Sequence, residues 1–502
     1  MSLCFTLAAL ILAASAAHQP SLAGGPMISF ASDVQAQAKP NSQPETPDAF
    51  LQRQMQRRHI PGMQVVIARH GQIILSRSFG VANLQDHTPV TKDTVFAIYS
   101  ITKAFTGVAA TQLIEQGKLD LTAPVSRYLD GLPSAWQPIT IRQLLTHTSG
   151  LPNIVDNDTG GIIAPTEQSA WAKVLAMPLA FAPGERFSYC QTNYLLIGRI
   201  IDKLSNQPFT QFITEQQLNK LGMPLTTYGD FHTVIPHGVR DYSLVRGVPD
   251  SAPISKRYVN EFAEFSPGVL TAAGLNTNAE ELVRWALAVQ QGRFFRDKAS
   301  LDLLWTPGSL NNGSTQGFSQ LFNGYALGWP VLVRPEHRAL APIGGGRAAL
   351  FVYPDDDLII VILTNLKRAN PEDFVDKLAS LYIPSMKADT GFGFPAASKA
   401  LHAAVMSSGG YQQLNAALDH AAAQGHPYKL SEQDWEDLGG HLFQIDQPED
   451  ALIVLNKNVA LHPDVADAYD ILAVIYHQLG NEPLHDKNHQ RFVELKAKEP
   501  KP

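Results

Sequence analysis

The chain has 502 residues, 45% of them hydrophobic, which is enough for a full core and excludes a mainly disordered or fibrous protein. Lys and Arg number 39 against 46 Asp and Glu, the net charge is −7, and no block of five basic residues occurs, so neither nucleic acid nor an anionic membrane surface is an expected partner. The two cysteines, Cys4 and Cys190, exclude a disulfide framework and a cysteine-built metal cluster.

Length predicts two to four domains. Leu3 to Ala17 is apolar, uncharged and rich in small residues, too short to span a bilayer, and it contains Ala14-Ser15-Ala16, an A-x-A-like cleavage site. Residues 1–16 are therefore expected to be a signal peptide, although no basic residue precedes the apolar run; the alternative is a buried N-terminal helix. Export implies a secreted or periplasmic protein with no integral membrane segment after cleavage. Residues 17–45 are polar and rich in Pro, Gly, Gln and Ser, which predicts a linker.

A helical pattern begins near Pro47. Between Met63 and Phe79, two β-rich runs flank His70-Gly71-Gln72 and predict a hairpin. A helix is expected over about 100–116, with Gly117 as its cap, and another over 139–146, stopped by His147-Thr148-Ser149-Gly150. Residues 194–204 and 277–291 carry amphipathic helical periodicity. Ala348–Tyr353 and Leu358–Thr364, joined by Pro354-Asp-Asp-Asp, predict a second hairpin, followed by a helix over about 371–382. Beyond Pro384 the composition shifts to Gly, Ala and Ser, and then to purely helical patterning. Residues 386–430 are expected to be a helical linker.

Over 431–502, two units of about 34 residues fit the tetratricopeptide template. Trp435, Leu438, Gly439, Ala451 and Pro463 occupy template positions in the first, and Tyr469, Leu472, Ala473 and Tyr476 in the second. An ordinary helical extension is the alternative. So few repeats need a packing partner, so the tail is expected to rest on the preceding domain, on a second copy or on a protein partner. His485 and His489 are spaced i, i+4 there, but without a third ligand they predict a solvated helix face and no metal site.

Three stretches can carry chemistry. Ser100-Ile-Thr-Lys103 opens an apolar helix, so Ser100 falls in the first turn and Lys103 lies one turn on, on the same face. The helix N-terminus favours negative charge developing on the serine oxygen, and a desolvated Lys103 can accept its proton. An N-capping serine with a solvated lysine fits the same residues. Tyr189 stands at a turn-to-helix junction, where its hydroxyl can point into a cleft. Next to a lysine cation its phenol pKa would fall and it could relay protons; a core tyrosine is the alternative. Gly344-Gly345-Gly346-Arg347 precedes the late hairpin, and glycines there let backbone approach a ligand; a bulge or tight turn is the alternative.

In this order and context, the three stretches resemble the serine β-lactamase and penicillin-binding protein family, most closely its class C and esterase-like branch. Phe96–Phe105, Thr140–Pro152, Tyr325–Trp329 and Pro354–Asn365 support the likeness, which spans about residues 46–385. The resemblance implies an α/β (α+β) fold: an antiparallel sheet whose first and last hairpins meet, flanked by helices, with a helical lobe and an all-α tail. It implies Ser100 as the acylated nucleophile, Lys103 as general base or its partner, and Tyr189 as the proton relay. The amides of Ser100 and Gly345, beside Gly344, would form the oxyanion hole, with no metal and no cofactor. Two departures stand out. Gln191 replaces the Asn usual two residues after the Tyr, and Pro342 stands where the edge strand usually has Lys or His. Arg347 and His337 are the nearby substitutes for that cation, neither in register.

The expected function is an exported serine hydrolase acting on a small-molecule substrate through an acyl-enzyme: esters, β-lactams or D-amino-acid peptides. A weak or inactive relative that binds a ligand or partner is the alternative.

Overall fold

The computed structural model describes residues 45–156, 161–246, 256–319, 322–387, 396–444 and 447–498. The expected signal peptide and almost all of the linker lie outside them. Among the described residues, no helix is long and apolar enough to cross a membrane.

The strands, in chain order, begin with β1 (Gly62–Arg69), β2 (Gln72–Asn83), β3 (Thr88–Pro89) and β4 (Phe96–Ala97). Next come β5 (Thr227–Tyr228), β6 (Asp241–Arg246), β7 (Lys256–Glu261) and β8 (Leu275–Thr277). The last six are β9 (Gly324–Tyr325), β10 (Pro330–Leu332), β11 (Ala339–Leu340), β12 (Ile343–Gly344), β13 (Ala348–Tyr353) and β14 (Leu358–Thr364). The main sheet runs β3-β2-β1-β14-β13-β11-β10-β9, with β12 paired beside β13. Both expected hairpins form, and β1 pairs antiparallel with β14 from Met63 opposite Thr364 to Arg69 opposite Leu358. The first and last hairpins thus meet at the centre of the sheet. Asn365 fastens the junction: its Oδ1 accepts from the Gly62 N–H and its Nδ2 donates to Val81 O.

The apolar runs of β13 and β14 are buried at every residue, because both faces are covered. Alternation divides them. Leu350, Val352, Ile359, Val361 and Leu363 face a core shared with the helical lobe. Phe351, Tyr353, Leu358, Ile360 and Ile362 face a second core, shared with Phe50 and Leu51 of the helix Pro47–Arg58 and with Phe374, Val375 and Leu378.

The helix Thr102–Glu115 runs through the first core, and each of its residues from Thr102 to Leu113 is buried. A helix apolar all round belongs inside a protein. Aromatic packing holds it there. The Phe105 ring stacks on Trp285 at 3.7 Å, and Trp285 in turn stacks on Trp329 at 5.6 Å. Gln217 links the pair, donating to Phe105 O and accepting from Trp285 Nε1.

The C-terminal region is helical, as expected. The helices Glu432–Gln444, Pro448–Leu461, Ala466–Gln478 and Glu482–Lys496 follow one another in the chain. Trp435, Leu438, Ala451, Leu455 and Leu472 share a third core with Leu401 and Tyr411. Arg57 of the first helix pairs with Glu449 at 2.8 Å, so the tail touches the sheet-bearing region.

Trp285→Ala removes the middle of the aromatic stack and orphans Gln217 Oε1. It is expected to cost about 3–5 kcal/mol in urea denaturation, leaving secondary structure by circular dichroism unchanged below the transition.

Candidate active site

Ser100 lies in a single 3-10 turn, Tyr99–Ile101, which runs directly into the helix Thr102–Glu115. First-turn amides have no intrahelical acceptor, so the Ser100 N–H is directed outward from the helix. The residue before it is strained. Tyr99 has φ 46°, a left-handed conformation that bulky residues seldom adopt. Its surroundings hold it there. The hydroxyl donates to the Asp241 carboxylate on β6, the Arg347 guanidinium sits 4.8 Å over the ring, and Phe265 packs edge-on at 5.9 Å.

The Gly344-Gly345 strap closes the remaining side. A Cβ at Gly344 would collide with the Ile98 carbonyl oxygen. One at Gly345, where φ is 57°, would lie 2.9 Å from Tyr99 Cγ. Only glycine lets β12 lie this close to the turn that carries Ser100.

Lys103 is fully buried, and its Nζ lies 3.3 Å from Ser100 Oγ and 3.0 Å from Ala272 O. The Tyr189 and Tyr194 ring centroids are 4.6 and 5.4 Å away, and no described carboxylate pairs with the amine. Burial pushes the Lys103 pKa well below the ordinary lysine range. The amine is therefore driven towards its neutral form, beside a serine hydroxyl.

Tyr189 behaves differently from the sequence expectation. Burial raises its phenol pKa, against smaller lowering effects from the Ser100 and Gln191 side chains. With Lys103 pushed towards neutrality, little cationic charge remains nearby to pull the phenol down. Burial thus favours the protonated phenol at Tyr189 over the phenolate.

Gln191 opens the helix Gln191–Ser205, and its N–H donates to Asn153 Oδ1 at 2.9 Å. Its side-chain Oε1 is buried and accepts from no described residue.

Arg347 is placed beneath the strap. Its side chain is 4% exposed, its Nη1 donates to Gly345 O, and Asp241 and Glu261 lie within ion-pair distance at 3.6 and 3.9 Å. It contacts the Tyr99 ring and the Gly345 carbonyl, and Glu261 also pairs with Lys367. His337 pairs with Asp356 at 2.8 Å and Ser385 Oγ at 2.8 Å. Pro342 is buried and accepts from the Leu350 N–H.

Sequence reasoning missed three parts of this arrangement. One is the paired strands β6 and β7, which bring Asp241 and Glu261 to Arg347. The second is the strain at Tyr99. The third is His147, read only as a helix stop. It is buried, with Nδ1 accepting from the Cys190 N–H at 3.1 Å and rings of Tyr189, Tyr325 and Tyr194 at 4.5, 4.8 and 5.1 Å. Burial and the neighbouring Lys103 hold its pKa well below the usual histidine range. A neutral imidazole adds no charge that would repel or replace the Lys103 proton.

Phe265, which packs on Tyr99, also lines a cavity of about 460 Å³, and the same wall carries the carboxylates of Glu167, Asp230 and Glu264.

The serine at this helix start lies beside a buried lysine, under an antiparallel sheet whose first and last hairpins meet. The family model described as Beta-lactamase matches residues 47–383, and the chain belongs to that family. It is similar to Protein flp of Staphylococcus aureus strain MW2, with 28% identity over 338 residues, covering 66% of this chain and 64% of that protein. In fold, it is similar to the octameric penicillin-binding protein homologue from Pyrococcus abyssi, with TM-score 0.55 and 23% identity over 68% of this chain and 76% of the other. It is also similar to the D-amino acid amidase from Ochrobactrum anthropi SV3, with TM-score 0.55 and 19% identity over 68% of this chain and 99% of the other.

Lys103→Met keeps the shape of the buried side chain and removes its proton site. Burial lowers the native Lys103 pKa below its unfolded value, so between the two the unfolded chain binds more protons at this group and native stability rises with pH. The variant is expected to gain about 1–3 kcal/mol at pH 7 and to lose part of that upward slope, read by denaturant titration at several pH values.

Proposed function

We propose that this protein is a serine hydrolase working through an acyl-enzyme on Ser100. The observation that carries the reading is the convergence of Ser100 and Tyr189 on the buried Lys103 amine, whose Nζ lies 3.3 Å from Ser100 Oγ and 4.6 Å from the Tyr189 ring centroid. Lys103 takes the Ser100 proton as Oγ attacks the substrate carbonyl. The amides of Ser100 and Gly345 hold the developing oxyanion. Tyr189, fully protonated, donates to the leaving group as the carbonyl–heteroatom bond breaks, and is reprotonated from Lys103. Water then attacks the acyl-enzyme by the reverse proton path and frees the acid.

The substrate classes are small esters, β-lactams and D-amino-acid peptides or amides, the last in line with the named activity of the Ochrobactrum protein. Pro342 supplies no cation, Arg347 lies beside two carboxylates, and the neighbouring cavity wall is acidic. These observations disfavour a substrate carboxylate and favour neutral esters and amides. The unpaired Gln191 Oε1 offers an acceptor for a substrate N–H.

Export through residues 1–16, a secreted or periplasmic location and a tetratricopeptide-like tail that docks a partner or a second copy belong to the same proposal. The second reading, a ligand-binding relative without turnover, draws on the capture of Arg347 and the loss of the cation at Pro342.

Incubation with a fluorescent penicillin, a fluorophosphonate probe and short-chain nitrophenyl esters separates the two. Labelling or turnover that disappears in Ser100→Ala, a loss of about 10³-fold or more, supports the hydrolase. No labelling and no turnover with any of the three leaves the binding reading.

Hydrolysis is expected to need the Lys103 amine neutral. kcat/KM should therefore rise with pH through a limb well below the ordinary lysine range. Tyr189→Phe should lower kcat by about 10²–10⁴-fold while probe labelling of Ser100 persists, because it removes the donor to the leaving group and keeps the ring packed on Lys103.

A further inference from the structure

The histidines of the tail acquire in the structure what the sequence did not offer, a third donor. His477 ends the helix Ala466–Gln478, while Glu482 and His485 occupy the first turn of the helix Glu482–Lys496. One donor atom from each of the three lies within 4.8 Å of the others. The turn between them is tightly made. Gly480, at φ 74°, donates to His477 O, Asn481 donates to Tyr476 O, and the Asn481 side chain caps Leu484.

The geometry of His485 is that of a metal ligand. Its Nδ1 lies 3.0 Å from the Ala473 carbonyl, so Nδ1 carries the proton and the Nε2 lone pair is left for a cation. The His489 ring stacks parallel to it at 5.9 Å and restrains its plane. Glu482 is only 15% exposed, and its Oε2 stands 3.6 Å from His477 Nδ1. A largely buried carboxylate facing imidazoles gains most when a cation joins them. Asp486, exposed and 4.0 Å from His485 Nε2, can supply a fourth oxygen, with water as the other choice.

We propose that His477, Glu482 and His485 form a divalent transition-metal site, with Zn²⁺ as its best-fitting occupant. Two imidazoles and a carboxylate are borderline ligands of the kind that suits Zn²⁺ over Mg²⁺ or Ca²⁺. A tetrahedral shell sets donors roughly 3.3 Å apart, and the half-exposed His477 ring has room to close that gap by rotation. The site clips the last two helices together at their shared turn. A metal crosslink between two helices supplies stability at the turn that joins them. The proposal is independent of the hydrolase reading.

The test uses the untagged full-length protein, stripped with EDTA and titrated with ZnCl₂ against a chromophoric chelator, with melting followed by circular dichroism. Binding of one equivalent, a higher melting temperature with Zn²⁺, and a loss of more than about 10-fold in affinity in both His485→Ala and Glu482→Gln support the site. His489→Ala should bind within a few-fold of the parent. Should His485→Ala fail to fold, Glu482→Gln decides alone. Absence of a stoichiometric equivalent, or equal affinity in parent and Glu482→Gln, overturns the proposal.

Discussion

The candidate site depends on one costly placement, an amine with no counter-ion inside a hydrophobic core. Lys103 belongs to a helix whose first twelve residues are all buried, so it has no route to solvent. Its nearest groups are two tyrosine rings, a backbone carbonyl and the serine hydroxyl. A charged ammonium there would be strongly disfavoured, and the amine is driven towards neutrality instead. The sheet and the helical lobe that bury the Lys103 helix are what hold that amine away from solvent.

A second constraint sets the position of Ser100. The Tyr99 backbone is held left-handed by a hydroxyl bonded to Asp241, a guanidinium over its ring and a glycine strap pressed against its edge. Strain of this kind persists only where the surroundings over-determine it. Arg347 links the parts, since it contacts Tyr99, Gly345 O, Asp241 and Glu261 at once. The residue first considered as a substrate's counter-ion therefore connects the turn that carries Ser100 to the strap that carries Gly345. Its removal would disturb both backbone elements together, so its effect on chemistry would come through position.

The neighbouring surface is short of positive charge. Pro342 has no donor, Arg347 lies beside two carboxylates, and Glu167, Asp230 and Glu264 line the adjoining cavity. Buried donors and acceptors distinguish substrates chiefly by what they leave unpaired. Gln191 Oε1 is such an acceptor, and it asks for an N–H more than for a carboxylate.

Much of the fold was legible in the sequence. The two hairpins announce themselves by β-branched runs around tight-turn residues, and Ser100 and Lys103 share a helix, so their spacing alone sets them on one face. Tyr189 was placed by its junction and by family likeness. What the sequence could not carry were quantities belonging to no single segment. The phenol pKa of Tyr189 was expected to fall beside a cation, yet burial of the ring raises it. Arg347 was legible as a charge, but its partners on β6 and β7 lie about a hundred residues earlier and meet it only through the packing of those strands against the strap. His485 and His489 were legible as an i, i+4 pair, whereas His477 reaches Glu482 and His485 only across an inter-helix turn. Local periodicity determines which elements form and which side chains share a face. Burial and long-range contact decide which of those side chains keep their charge, and that was left to the tertiary structure.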